Sequence, residues 1–326
     1  MEIVVQKFGG TSVANREKLE IVCKRIEEKI KDNKKVVVVV SAQGKTTDNL
    51  IATSKEYVKN NYPKEMDLLL STGEIQTVAL LTMLLKEKGF KVEGMTGKQA
   101  GIITDSNYMK AKIIDILKDN IKCKFNENDV IVVAGFQGTD KFGNITTLGR
   151  GGSDLSAVAI AASLNAKVCE IYTDVDGIYS GNPKEMSNAK LLDNISYDEM
   201  LVAASSGAKV LHNRSVGIGK EYDIPIIVRN TNKSEGGTVV MKDIVKEEYG
   251  PKIVATQNNV SKITIIGNGM LENENVITEI YNIAKELNIT IQMLSTSEIS
   301  ISIIINKDVV EKFINEINDR LILNKA

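Results

Sequence analysis

The chain has 326 residues, a formal net charge of −1 and 25% charged residues, close to the average of soluble globular proteins. This length predicts about two domains, and the lack of a basic block argues against a nucleic-acid partner. Three separated cysteines and a single histidine argue against a disulfide framework or a histidine-based metal site. Because neither a signal peptide nor a membrane-length apolar run stands out, we expect a cytoplasmic protein with no membrane partner.

The first 245 residues alternate strand and helix patterns. We predict strands at 2–8, 36–40, 129–136, 168–174 and 224–230, and helices at 16–31, 48–60, 74–88 and 153–166. The run of five valines at 36–40 is apolar on both faces, which is typical of a central strand in a parallel sheet. The alternation therefore predicts an α/β domain over 1–245, an open sheet with helices on both faces.

The pattern changes after a segment rich in charge at 242–252. Residues 252–326 are predicted to form a second domain with strands at 261–267, 289–295, 298–305 and 321–323, and helices at 273–287 and 307–319. The resulting order, β-α-β-β-α-β, is the ferredoxin-like order.

One glycine-rich segment, KFGGTSV at 7–13, follows the first predicted strand, where open α/β sheets bind ligands. Amides of Gly9 and Gly10 can approach an anion closely and Lys7 adds a charge, so the segment suits a phosphate group. A structural turn with a solvated lysine explains it about equally well. It is not a P-loop, nor does any G-x-G-x-x-G follow the strand, which disfavours a dinucleotide-binding fold.

A second segment, TTLGRGGSDLSA at 146–157, places Arg150 among three glycines just ahead of a predicted helix. This position allows the guanidinium to bind a carboxylate or phosphate through two hydrogen bonds. Ser153 and Asp154 are also explained as residues that cap the helix.

Several motifs in one order carry a family resemblance. They are KFGGTSV (7–13), VVVVVSAQGKTTDNL (36–50), STGEIQTVALL (71–81), TGKQAGIITD (96–105), TTLGRGGSDLSA (146–157), YTDVDGIYSGNP (172–183) and GAKVLHNRS (207–215). On these stretches, which run from about residue 3 to 240, the chain resembles the aspartokinases of the amino-acid kinase superfamily. The pairing of KFGGTSV with TTLGRGGSD is the most specific part of the likeness.

The resemblance implies a three-layer αβα sandwich with a mostly parallel sheet, followed by a ferredoxin-like βαββαβ ACT domain over 252–326. It implies phosphoryl transfer from ATP, bound with Mg²⁺, to the β-carboxylate of L-aspartate, the first step towards lysine, threonine and methionine. A carboxylate is already ionised at pH 7 and needs no general base, so a chain with one histidine fits this chemistry.

The same resemblance assigns site residues. For catalysis it implies Lys7, Gly9, Gly10, Arg150 and Asp154. For aspartate it implies Ser41, Thr47, Glu74, Arg150, Gly151 and Ser153. For the nucleotide it implies Lys7, Gly9, Gly10, Ser12, Thr173, Asp174, Tyr179, Pro183, Lys184 and Lys209. We expect no metal site made of protein groups alone, because Mg²⁺ is expected to be carried by the ATP phosphates and water.

The roles implied are specific for three side chains. Lys7 is expected to neutralise charge on the moving phosphoryl group, with the amides of Gly9 and Gly10 as donors. Arg150 is expected to bind a carboxylate of aspartate, and Glu74 to accept from its ammonium group. From the residues alone, Glu74 is also explained by the helix dipole, and Asp174 by a D-x-D-G turn.

The C-terminal part departs from the family, which commonly has two ACT modules that pair and hold an amino-acid effector between them. Only one module is recognisable here, so we expect a homodimer formed through residues 252–326, with lysine or threonine as a possible effector. Two alternatives stay open at this point. One is another amino-acid kinase, such as a glutamate kinase, and the other is a non-catalytic amino-acid sensor built on the ACT domain.

Overall fold

The computed structural model describes residues 2–208, 210–242, 250–267 and 274–323. The chain forms two compact units, Met1–Ala255 and Thr256–Ala326. Residue 245, the predicted end of the first domain, and Lys209 lie outside the described residues.

The first unit has the predicted α/β architecture. Its strands are β1 (Ile3–Phe8), β2 (Lys35–Val40), β3 (Val92–Met95), β4 (Ile102–Thr104), β5 (Ile113–Ile116), β6 (Val130–Ala134), β7 (Gln137–Thr139), β8 (Ile145–Thr147), β9 (Val168–Thr173), β10 (Asn194–Ser196), β11 (Ile226–Asn230) and β12 (Thr238–Met241). Its helices are α1 (Arg16–Lys31), α2 (Thr46–Tyr57), α3 (Pro63–Glu87), α4 (Asp119–Lys122), α5 (Gly152–Leu164), α6 (Tyr197–Ser205) and α7 (Asn213–Glu221).

Eight strands form the main sheet in the order β10-β12-β11-β9-β1-β2-β6-β3. The pairing is parallel throughout, except that β11 and β12 run antiparallel. Strands β1 and β2 occupy the centre, as the unbroken valine run predicted. The mostly parallel sheet with helices confirms the predicted fold of this unit.

Side-chain alternation along the central strands decides which helices cover each face. Val37 and Val39 pack with the apolar side chains of α5, whereas Val36, Val38 and Val40 pack with α1 and α3. The two hydrophobic cores therefore lie on opposite faces of one sheet, which is the expected three-layer sandwich. On β1, Val5 belongs to the α5 face, so Lys7, two residues further on, points to the same side.

Helix α3 starts at Pro63, eleven residues before the predicted start, because proline is well accommodated in the first turn of a helix. The helix is long and apolar enough to cross a membrane by length and composition alone, although half of that stretch is buried within the structure. It also buries the carboxyl groups of Asp67 and Glu74. We therefore interpret α3 as a core helix of the first unit.

Four short strands form a smaller sheet in the order β5-β4-β7-β8. The sequence patterns did not predict it. Its last strand, β8, leads directly into the segment 148–151 ahead of α5. This sheet therefore carries one wall of the site described below.

The second unit contains β13 (Val260–Ile266), α8 (Glu274–Glu286), β14 (Met293–Ser297), β15 (Ser300–Asn306) and α9 (Val310–Ile317). The strands form an antiparallel sheet in the order β13-β15-β14. The predicted last strand at 321–323 is wrong, because Asn318–Leu323 continues as a helical turn. Arg320 holds that turn through ion pairs to Glu279, Glu286 and Glu316.

Candidate active site

A cavity of about 600 Å³ lies at the carboxyl ends of β1, β2 and β6. Parallel α/β sheets bind ligands at this edge. Nine of the predicted site residues line the cavity: Lys7, Gly10, Ser41, Thr47, Glu74, Arg150, Gly151, Ser153 and Asp154. Residues that are 147 positions apart in the chain are thus brought to one place.

Lys7 and Asp154 form an ion pair at the floor of this cavity. The Lys7 ammonium lies 2.6 Å from Oδ1 of Asp154, and the two side chains are only 11% and 13% exposed. The pair follows from the fold, because Lys7 faces α5 and Asp154 sits in the first turn of that helix. Lys7 is therefore a buried strand residue, which makes the alternative of a solvated loop lysine wrong.

Glycine is required at two places around this pair. A Cβ atom on Gly10 would come within 2.8 Å of the Ala42 carbonyl oxygen. Gly151 has a φ of +69°, and a Cβ atom there would come within 2.5 Å of the Cβ of His212. The close contact at Gly10 and the positive φ at Gly151 both exclude a side chain. Both loops therefore depend on glycine for their path past the cavity.

Arg150 is exposed at the rim of the cavity, and we find no hydrogen bond or ion pair for it within the described residues. It lies between Gly149 and Gly151, which both have positive φ angles, and these hold the backbone in a tight turn. An unpaired guanidinium in this position is available to bind a ligand carboxylate.

Glu74 lies deep in the cavity wall and is 3% exposed. One carboxylate oxygen, Oε1, accepts a hydrogen bond from the Ala42 amide at 3.0 Å. The other, Oε2, has no partner among the described residues. Burial raises the pKa of Glu74 to about 7. A buried carboxylate with an unsatisfied oxygen beside a cavity is suited to a ligand that brings a positive charge or donors.

Two polar residues that the sequence reasoning missed, the buried Asp67 and the half-buried Arg214, hold the cavity walls. Asp67 accepts hydrogen bonds from the Met109 amide and from the amide and hydroxyl of Thr147. Arg214 donates to the carbonyls of Leu148 and Ala111. Asp67 lies seven residues before Glu74, two turns along one helix face, and that spacing was a usable signal.

Five of the predicted nucleotide residues lie on the other side of β1. Thr173 is the last residue of β9, which pairs with β1 on the edge opposite β2, and Asp174, Tyr179, Pro183 and Lys184 follow that strand. None of these five lines the cavity. The predicted site residues therefore fall into two groups separated by Lys7, one beside β2 and one beside β9.

Two residues of the first glycine segment are engaged within the protein. The Gly9 amide donates to the Tyr172 carbonyl at 3.2 Å, and the Ser12 hydroxyl lies 2.6 Å from that of Thr231. Neither residue lines the cavity. In this structure the amide of Gly9 is thus not available as a phosphate donor, and the donor role predicted for it stays a prediction.

Asp176, next to the predicted Asp174, is held within its loop. Its carboxylate accepts from the side chains of Tyr179, Asn230 and Lys233, and the hydrogen bond from Lys233 lowers its pKa. Within the described ranges, no three acidic, histidine or cysteine side chains are grouped to hold a metal ion. The expected lack of a protein metal site stays a prediction.

Comparison with known proteins identifies families and relatives that this chain resembles. A sequence model of the amino acid kinase family matches residues 2–230, and a model of the ACT domain matches residues 263–321. Aspartokinase 2 of Bacillus subtilis is 35% identical in an alignment of 404 positions that covers all of this chain and 99% of that protein. The chain belongs to the aspartokinase family. Its one recognisable ACT domain agrees with the predicted departure from the two-module pattern.

Other aspartokinases are similar over part or most of the chain. The aspartokinase of Geobacillus stearothermophilus is 45% identical over 268 residues, which cover 82% of this chain and 66% of that protein. Aspartokinase III of E. coli, solved with aspartate and ADP, superimposes with a TM-score of 0.79 at 26% identity over 94% of this chain and 79% of that one. Its structure with lysine and aspartate gives a TM-score of 0.80 at the same identity, over 98% and 84% of the two chains.

The alignment with Bacillus subtilis aspartokinase 2 also shows a size difference within the family. It has 404 positions, whereas this chain has 326 residues, so 404 − 326 leaves at least 78 positions without a counterpart here. The second unit, Thr256–Ala326, is of similar length. The difference is therefore about one ACT-sized module.

Proposed function

We propose that this chain is an aspartate kinase that transfers the γ-phosphoryl group of ATP to the β-carboxylate of L-aspartate, giving 4-phospho-L-aspartate. The observation that carries the proposal is the position of Lys7, which shares a cavity with the predicted aspartate residues and lies on the strand next to β9. Glu74 and Arg150 place opposite charges in the cavity, and the loop after β9 lies on the opposite side of β1 from β2.

The two charges suit the two ends of an amino acid. The free Oε2 of Glu74 would accept from the aspartate ammonium group, and the exposed Arg150 would bind the α-carboxylate. The β-carboxylate would then point towards Lys7. It is ionised at neutral pH, so it attacks without a base, and positioning with charge stabilisation makes up most of the catalysis.

Lys7 would stabilise the negative charge on the phosphoryl group during transfer. Asp154 holds the ammonium of Lys7 in place through the 2.6 Å ion pair. Mg²⁺ fits this site as an ion carried by the ATP phosphates, since the cavity carboxylates of Asp154 and Glu74 already contact the Lys7 ammonium and the Ala42 amide. When bound, Mg²⁺ would neutralise phosphate charge.

An ADP-release assay with the full chain tests the substrate. We expect L-aspartate to stimulate ADP formation from ATP and Mg²⁺, and L-glutamate, one methylene longer, to stimulate it at least about tenfold less, because the fixed charges and Lys7 set one acceptor length. Equal or greater stimulation by L-glutamate would favour a glutamate kinase. No stimulation by either would favour the non-catalytic sensor.

The ACT domain supports proposals about assembly and regulation. We propose that the chain is a homodimer paired through residues 252–326, because one module alone cannot form an interface between two. We further propose that it acts in the cytoplasm in the synthesis of lysine, threonine and methionine, with lysine or threonine as an allosteric effector. The solved E. coli aspartokinase III complex with lysine and aspartate supports an amino-acid effector.

Light scattering at micromolar concentration tests the assembly. We expect the mass of two 35.7 kDa chains, and a monomer mass would reject the dimer. Activity measured with added lysine and threonine, alone and together, tests the effector. A rate unchanged by every combination would reject allosteric control by these amino acids.

A further inference from the structure

Two contacts attach the first glycine segment to the end of β9. The amide of Gly9 donates to the carbonyl of Tyr172 at 3.2 Å. Three residues on, the hydroxyl of Ser12 lies 2.6 Å from the hydroxyl of Thr231, which in turn lies 3.1 Å from the carbonyl oxygen of Thr173. The segment next to Lys7 is therefore fixed to Tyr172 and Thr173, where the predicted nucleotide loop begins.

The hydrogen bonds that link Ser12, Thr231 and Thr173 run in one direction. The carbonyl of Thr173 can only accept, so the single hydroxyl proton of Thr231 is directed to it. The Ser12 hydroxyl must then donate its own proton to Thr231. Ser12 and Thr231 are only 3% and 2% exposed, so water does not readily replace either partner. The Ser12 proton is consequently not available to a phosphate group.

Thr231 is well placed to join the two segments. It directly follows β11, whose last residue, Asn230, is paired in register with Thr173 of β9. Its amide also donates to the Thr173 carbonyl at 3.0 Å, so backbone and side chain bind the same oxygen. The hydroxyl thus adds one link that the backbone alone does not provide, and that link reaches Ser12.

We propose that Thr231 is a positioning residue for phosphoryl transfer, which sets the glycine segment beside Lys7 in register with the nucleotide loop through the chain Ser12–Thr231–Thr173. This inference rests on the proposed kinase function. It gives Ser12 a different role from the predicted contact with the nucleotide. The predicted consequence concerns ATP and not aspartate, because the aspartate group of residues lies on the opposite side of β1.

Steady-state kinetics of the full chain test the proposal. Three variants are compared with the parent chain: Thr231→Val, Thr231→Ser and the double variant Ser12→Ala/Thr231→Val. Valine keeps the shape of threonine without the hydroxyl, whereas serine keeps the hydroxyl. We expect Thr231→Val to raise the KM for ATP about tenfold or more and the KM for aspartate by less than about twofold. Thr231→Ser should stay within about threefold of the parent chain in both constants.

The double variant separates positioning from folding. It removes the buried donor that valine leaves unpaired, so its melting temperature should return towards that of the parent chain while the KM for ATP stays raised. Thr231→Val with an unchanged KM for ATP, or with equal rises in both KM values, would overturn the proposal, as would recovery of the ATP constant in the double variant.

A second readout is independent of aspartate. Calorimetric binding of ADP with Mg²⁺ should weaken about tenfold in Thr231→Val and remain near the parent value in Thr231→Ser. If the parent chain shows no aspartate-dependent turnover, the proposed function fails, and this comparison still decides the role of Thr231. Equal ADP affinity in all variants would reject it.

Discussion

Replacing Lys7 with alanine is expected to lower kcat by about 10³-fold, because a preorganised charge at the transferred group contributes several kcal/mol to the transition state. The ammonium group lies at the floor of the cavity, between the residues beside β2 and those beside β9. Steady-state rates at saturating ATP and aspartate measure the effect.

The same substitution should also destabilise the fold. It leaves the Asp154 carboxylate, whose side chain is 13% exposed, without the ammonium that lies 2.6 Å away. Breaking a buried ion pair from one side costs about 3 kcal/mol or more. A low rate in Lys7→Ala alone is therefore ambiguous, since fewer molecules could be folded.

The variant Lys7→Ala/Asp154→Asn separates the two effects. It removes the unpaired charge, so its melting temperature should recover most of the loss, while activity stays about 10³-fold down. Recovery of activity together with stability would show that Lys7 has only a structural role. A fully folded Lys7→Ala with activity near that of the parent chain would contradict the account outright.

Replacing Glu74 with glutamine is expected to raise the KM for aspartate about 100-fold, because a charged hydrogen bond to the substrate ammonium group is lost. The pKa of Glu74 is raised to about 7 by burial, so in the free enzyme the carboxylate is largely protonated below that pH. The KM for aspartate of the parent chain should therefore rise as the pH falls below about 7. The glutamine variant should lack this rise.

The stability of the folded chain should depend on pH in the opposite way from aspartate binding. In the unfolded chain Glu74 ionises near 4.5, whereas in the folded chain it holds its proton to about 7. Between those two pH values the unfolded state binds fewer protons, so stability falls as the pH rises, by about 3 kcal/mol in all. Glu74→Gln should therefore be more stable than the parent chain at pH 8 and equal to it at pH 4.

Glu65→Gln is the matched control, because Glu65 lies exposed near the start of the same helix. We expect it to change neither the KM for aspartate nor the pH dependence of melting. A Glu74→Gln variant with an unchanged KM, or one that melts below the parent chain at pH 8, would contradict the role of a buried, substrate-binding carboxylate.

The sequence predicted the parts of this site that depend on local pattern. The βα alternation, the valine run of β2 and the glycine segments at strand ends all follow from periodicity and glycine placement. The nine predicted residues that meet in one cavity were assigned through the family resemblance. The burial of Lys7 could not be predicted, because it depends on which helix covers β1. The ion pair with Asp154 depends on a contact across 147 positions of the chain.

The errors have local causes as well. The small sheet β5-β4-β7-β8 was missed because its strands have three or four residues, too few to show a period. The predicted last strand at 321–323 was wrong because the guanidinium of Arg320 forms ion pairs with three glutamates. These ion pairs stabilise a helical turn where the short apolar run predicted a strand. Asp67 was missed because the helix was predicted to start only at residue 74, so the seven-residue spacing of Asp67 and Glu74 was not recognised as one helix face.

Trapping of the product with hydroxylamine tests the central claim most directly. The parent chain, incubated with ATP, Mg²⁺ and L-aspartate, should form an acyl phosphate that hydroxylamine converts to β-aspartyl hydroxamate, which gives a coloured complex with ferric ion. The Lys7→Ala/Asp154→Asn variant should give no signal above background. No hydroxamate from aspartate, or a hydroxamate from L-glutamate in its place, would contradict the assignment of this cavity to aspartate phosphorylation.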